Sequence, residues 1–144
     1  MGTISYLLDT HTFLWAVRGS PNLSNTAVKI IEDMNVQIFV SAVSAYEIMN
    51  KYRLGKLPEY EYIAENYLSV LNEISAVELP ISTNHAHYAG VFEWEHRDPF
   101  DRLLVAQAYL DNLTLITDDP IMFFTNFQVS LLLRYYLTFT RNQL

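Results

Sequence analysis

ISYLLD, residues 4–9, is the stretch on which the fold turns. Its apolar run is short and nearly continuous, which marks a buried strand. Asp9 ends it, and a helical pattern follows at once, from Thr10 to about Arg18. A buried strand running straight into a helix is the opening unit of an alternating α/β chain.

The rest of the chain continues the alternation. "SPNLS" makes a turn, and Ser24 is an N-cap for a helix reaching about Met34. "VQIFVS" (36–41), rich in β-branched and aromatic residues, is a second strand. A helix is expected from about Ala42 to Leu54, stopped by Gly55, and another from about Glu59 to Ile74 behind Pro58. "AVELPI" is a third strand, "STNHAHYAGVFEW" a helix, and "HRDP" a break before a helix from Phe100 to Asn112. "LTLIT" is a fourth strand, Pro120 to Thr125 a short helix, and "QVSLLL" a fifth strand. The expectation is an α/β fold with a parallel sheet covered on both faces. With no repeat or linker, residues 1–144 read as a single domain, and about 133–144 as an extension without an assigned element.

Composition narrows the chemistry. Half of the 144 residues are hydrophobic (51%) and 17% are charged, which suits a compact core and argues against disorder. There is no cysteine, so disulfides and thiolate metal sites are excluded, in keeping with a reducing cytoplasm. No stretch approaches the length of a membrane span, and the start lacks the basic region of a signal peptide. A net charge of −7 argues against a bare nucleic-acid binder, unless a cation stands between phosphates and carboxylates.

The acids themselves fall in a pattern. Asp9 ends the first strand, Glu47 lies one turn into the helix after the second, Asp98 and Asp101 open a later helix, and Asp118 and Asp119 end the fourth strand. In open α/β sheets, ligands bind beyond the carboxyl ends of strands, where strand order reverses. Each acid also has a purely structural reading. Asp9 can cap its helix through Thr12, and Ser44 with Glu47 matches a capping box. Asp98 before Pro99 is an N-cap, Asp101 then suits the helix dipole, and Asp119 before Pro120 repeats the pattern. Taken together, four converging segments of like charge are unfavourable without protonation or a divalent cation. Oxygen donors without cysteine favour Mg²⁺ or Mn²⁺ over zinc.

"LLDTHTFLW", "SAVSAYEI", "HRDPFDRLLVAQA" and "LITDDP", in this order and spacing, resemble the PIN domain of VapC-type toxins from bacterial toxin–antitoxin pairs. The resemblance covers about residues 4–130. It implies a three-layer α/β/α fold with a five-stranded parallel sheet in the order 3-2-1-4-5. It also implies a Mg²⁺- or Mn²⁺-dependent ribonuclease with a cognate antitoxin, usually a homodimer, cutting RNA to a 5′-phosphate and a 3′-hydroxyl. Carried over by position, Asp9, Glu47, Asp101 and Asp119 would be catalytic and metal-binding, with Asp98 a cap or supporting acid. Thr10 and Thr117 are candidates to hydrogen-bond the ligand carboxylates, or ordinary turn threonines. Arg97 and Arg102 are candidates to guide the RNA backbone, or solvated charges paired with Asp98 or Asp101. Structural roles are expected for His11, His85, His87 and His96. Apolar helical stretches such as "AENYLSVL" or "NKYRLGKL" are candidates for an antitoxin groove. Two competing readings stand beside the nuclease: a catalytically silent PIN-like interaction module, and an aspartate-nucleophile phosphatase using Asp9. The phosphatase chemistry wants a second acid two residues on, where His11 stands.

Overall fold

The computed structural model describes residues 3–119 and Met122. Four strands, β1 (Ser5–Leu8), β2 (Gln37–Ser41), β3 (Ala76–Leu79) and β4 (Thr114–Ile116), form one sheet in the order β3-β2-β1-β4. All three pairings are parallel. Leu8 lies opposite Val40 on one side and Ile116 on the other, so β1 is a central strand. Apart from Met122, the stretches expected to form a short helix at 120–125 and a fifth strand at 128–133 lie outside the described residues, as does the extension beyond them.

The alternation of side chains along the strands separates two cores. Leu8, Val40 and Ile116 face a cluster with Phe13 and Leu14 of α1 (Thr10–Arg18), Ala27 of α2 (Asn25–Glu32) and Ile48 of α3 (Ala42–Arg53). Ile63 of α4 (Glu61–Glu65) and Val70 and Leu71 of α5 (Tyr67–Glu73) join the same cluster. Leu7 and Leu115 face the other way, towards Leu104, Val105 and Ala108 of α7 (Pro99–Leu110) and Phe92, which follows α6 (Thr83–Val91). One residue of shift in β1 would exchange the two sets, so the continuous apolar run is what makes a strand with both faces buried.

Helix ends follow local chemistry. Asp9 and Ser24 cap α1 and α2 through the Thr12 and Ala27 N–H groups, and Gly19 closes α1 in the left-handed region at φ 61°. Four expectations need correction. The capping box at Ser44 is not formed: α3 starts earlier, and Ser41 caps it by accepting from the Val43 N–H. The helix expected over 59–74 is three pieces, a 3₁₀ turn at Pro58–Tyr60 followed by α4 and α5. The break falls at Asn66, whose backbone leaves the helical region at φ −125° and ψ 34° while its N–H and its side-chain amide both donate to the Tyr62 carbonyl. The helix expected to reach Trp94 ends at Val91, where Phe92 turns extended. The helix expected over 100–112 starts at Pro99 and ends at Leu110, with Asn112 at φ 55° just beyond it.

One buried polar network ties the layers together. Gln107 of α7 is fully buried; its carbonyl accepts from the Ser41 hydroxyl at 2.5 Å and its amide donates to the Pro80 carbonyl at 3.1 Å. The same Ser41 oxygen caps α3. A single side chain thus joins α7 to the carboxyl ends of β2 and β3. Substituting Gln107→Leu leaves the Ser41 hydroxyl and the Pro80 carbonyl to find other partners, at about 1–3 kcal/mol for each buried group left unpaired. Urea denaturation should show a lowered midpoint with an unchanged slope.

Candidate metal centre at the carboxyl ends of β1 and β4

From β1 the chain builds β2 and β3 on one side, then crosses to place β4 on the other. The order therefore reverses between β1 and β4, and the crevice beyond their carboxyl ends is the expected ligand position. Asp9 stands there, its N–H donating to the Ile116 carbonyl at 3.1 Å as the last rung between the two strands. Its carboxylate is almost wholly buried, at 7% exposure. Oδ1 accepts from the Thr12 N–H at 2.7 Å, and Oδ2 accepts from the buried Thr117 hydroxyl in a short contact. Thr117 in turn accepts from the Asp119 N–H at 3.1 Å. The capping reading of Asp9 and the carboxylate-supporting reading of Thr117 describe the same geometry.

Burial pushes the Asp9 carboxyl above its usual range; the Thr117 and Thr12 hydrogen bonds oppose the rise, and the charge of Asp118 adds to it. Asp118 is itself pushed up by burial and by Asp119, against the nearby His11 imidazole. Asp101 is raised chiefly by burial, with Asp98 and Asp119 adding to the rise and His96 opposing it. Repulsion thus links Asp9, Asp118, Asp119, Asp101 and Asp98 in series.

Asp98 caps α7, accepting from the Phe100 N–H at 2.8 Å. Asp101, in the first turn, holds a partner that sequence reasoning did not assign: His96 Nε2 lies 2.6 Å from its Oδ2. Ligand atoms of His96, Asp98 and Asp101 lie within 4.8 Å of one another. Glu47 on α3 is paired with Lys51 one turn on at 3.5 Å, so its counter-charge comes from its own helix.

Two other candidates are placed differently from expectation. The Thr10 hydroxyl lies 2.9 Å from Ser44 Oγ and joins α1 to α3. Arg102 is no solvated charge paired with Asp98 or Asp101. Its guanidinium donates to four backbone carbonyls, Ala89, Phe92, Trp94 and His96, at 2.6–3.0 Å. Arg97 is exposed on the loop beside the cluster. A groove of about 610 Å³ lined by Leu23, Val36, Ile38 and Ile74 contains none of these acids.

Carboxylate oxygens with one imidazole, three of the carboxyls raised in pKa by burial and by neighbouring acids, suit a hard divalent cation that accepts oxygen and nitrogen donors. The architecture is that of an open parallel α/β sheet with an acidic cluster at its switch point. The sequence model of the PIN domain matches residues 6–126, and the chain belongs to that family. Among curated proteins it is similar to Ribonuclease VapC16 of Mycobacterium tuberculosis (strain ATCC 25618 / H37Rv), 38% identical over 73 residues. That match covers 48% of this chain and 50% of the relative, so it spans about half the relative's length. The fold is also that of VapBC2 from Rickettsia felis bound to a promoter DNA fragment (TM-score 0.52, 19% identity, 81% of this chain and 89% of that one). A toxin–antitoxin complex from Klebsiella pneumoniae shares it as well (TM-score 0.56, 20% identity, 79% and 86%).

A buried acid with a raised pKa makes the folded state prefer the protonated form. For Asp9 this contribution is full below the ordinary carboxyl value of 3.8 and is lost as pH rises through the folded value. Asp9→Asn keeps an acceptor for Thr12 or Thr117 and removes the buried charge. With divalent ions chelated, it should melt a few degrees above wild type at neutral pH, and the gap should close towards pH 4. Calorimetric melting of both proteins across pH 4–8 checks this.

Proposed function

We propose that this protein is a divalent-metal-dependent endoribonuclease, the toxin of a toxin–antitoxin pair. One observation carries the reading: a buried Asp9 carboxylate, immobilised on both oxygens, stands beside further acids at the sheet's switch point. The PIN family membership and the relative named as a ribonuclease support it.

In this reading Asp9, Glu47, Asp101 and Asp119 hold Mg²⁺ or Mn²⁺, with Glu47 giving up or sharing Lys51. When bound, the ion supplies Lewis acidity towards a phosphate oxygen and eases ionisation of a water. The chain's own residues arrange the donors. Thr12 and Thr117 keep Asp9 in one orientation, and Thr117 also fixes the backbone that carries Asp119. His96 holds one oxygen of Asp101, and Asp98 anchors the first turn of the helix bearing it. Arg97, exposed at the rim, is the cation for the RNA backbone.

The partner is a cognate antitoxin, as in the complexes that share the fold. Exposed Tyr62, Leu68 and Leu54, on or beside the helices after β2, offer apolar surface for it. A homodimer is part of the same proposal. The silent-module reading draws on Glu47, whose charge Lys51 answers, and on Asp98, whose cap explains its presence. Saturable Mn²⁺ binding by calorimetry would count against that module, and its absence in the wild type would count for it.

Purified protein should cleave structured RNA with Mg²⁺ or Mn²⁺, and Asp9→Asn should abolish cleavage while keeping the wild-type circular dichroism. Equal cleavage by both proteins would refute the assignment. Thr117→Val, which removes only the hydroxyl beside Asp9, should weaken Mn²⁺ binding about 10–100-fold in a calorimetric titration.

A further inference from the structure

We infer that Arg102 is a positioning residue for Asp101, acting through the 92–98 loop and His96 rather than on RNA. The inference rests on the metal-site reading above. Arg102 follows Asp101 on α7, but its side chain reaches back into the preceding loop. Nε donates to the Ala89 carbonyl at 2.8 Å, and Nη2 to Phe92 at 2.6 Å. Nη1 donates to both Trp94, at 2.9 Å, and His96, at 3.0 Å. Four of the five guanidinium N–H donors thus gather carbonyls from the end of α6 to His96. The guanidinium carbon also lies 4.4 Å from the centre of the Phe92 ring. That ring, stacked on Tyr88, stacks also on Trp94 at 5.7 Å, and Trp94 meets His96 in a tilted contact at 4.8 Å.

The loop has no regular secondary structure between α6 and α7. Phe92 is anchored in the core beside Tyr88, and from there the carbonyl bonds and the series of ring contacts both lead to His96. His96 then presents Nε2 to Asp101 Oδ2 at 2.6 Å. With Asp101 ionised, Nε2 carries the proton and donates it, which occupies one carboxylate oxygen and orients the other. A lysine in place of Arg102 would bring a single ammonium with no planar fork, unable to collect carbonyls spread over eight residues of chain.

The test uses the full chain, ¹⁵N-labelled and treated with chelator, with imidazole nitrogens read by long-range proton–nitrogen correlation at pH 7. His96→Gln assigns the signal. Wild type should show His96 protonated on Nε2, with a slowly exchanging, downfield proton; folded Arg102→Lys should lose it. In separate titrations with Mn²⁺ alone, Arg102→Lys and His96→Gln should each weaken binding about tenfold, and the double variant should be no worse than either single. An unchanged His96 signal in folded Arg102→Lys would overturn the inference. So would additive losses of Mn²⁺ affinity, or weakened RNA binding with Mn²⁺ affinity intact. If neither Arg102→Lys nor Arg102→Ala folds, the wild type decides: a His96 proton on Nδ1, or one exchanging rapidly from Nε2, overturns it. Failure of the wild type to bind Mn²⁺ would refute the metal-site reading, while the imidazole signal still tests the coupling of Arg102 to His96.

Discussion

A carboxylate held away from water at the end of a central strand is the constraint around which this molecule is arranged. Asp9 cannot be solvated freely, so its oxygens are met by the first turn of its own helix and by Thr117 from the neighbouring strand. The Thr12 donor is local, but the Thr117 hydroxyl is in place only when β1 and β4 lie side by side, and that adjacency is what the reversal of strand order creates. The burial still raises the carboxyl's pKa despite two hydrogen bonds. The fold therefore keeps a group that weakens it at neutral pH, a cost that the proposed metal site would explain.

The second side of the site is built by different means. Asp101 sits on a helix whose start is fixed by Asp98 and Pro99, yet its carboxylate is oriented from the loop before that helix. A buried strand offers rigid backbone; a loop must be given rigidity by side chains. Arg102 and the ring contacts running from Phe92 through Trp94 to His96 supply it here. Between the two sides, Gln107 and Ser41 join α7 to the strand ends, so the helix carrying Asp101 keeps its place relative to the sheet.

What was legible in the sequence was what depends on near neighbours. The apolar run of β1, the caps at Asp9, Ser24 and Asp98, and the left-handed glycine after α1 all act within a few residues. The strand order came from family resemblance and holds for the four described strands. Less legible were interactions whose partners are distant or whose geometry is fine. Ser44 and Glu47 carry the spacing of a capping box, but Ser41 wins the cap because it also has Gln107 to bond, 66 residues away. Asn66 interrupts a helical pattern by leaving helical backbone angles, which periodicity does not register. Arg102 read as a charge near two acids; its fork geometry suits carbonyls instead, and only the folded loop brings them within reach. His96, beside those acids in sequence, lacked any signal to separate contact from proximity.

The bond between Asp9 and Thr117 spans 108 positions of chain. Synthesis proceeds from the amino terminus, so a ribosome releases Asp9 and Glu47 well before the segment that secures Asp9 has left the exit tunnel. Until then the first aspartate has no hydroxyl from β4 and the sheet lacks one flank. A nascent polypeptide of this kind cannot complete its acidic centre while most of it is already outside, which delays any activity of that centre until translation has passed β4.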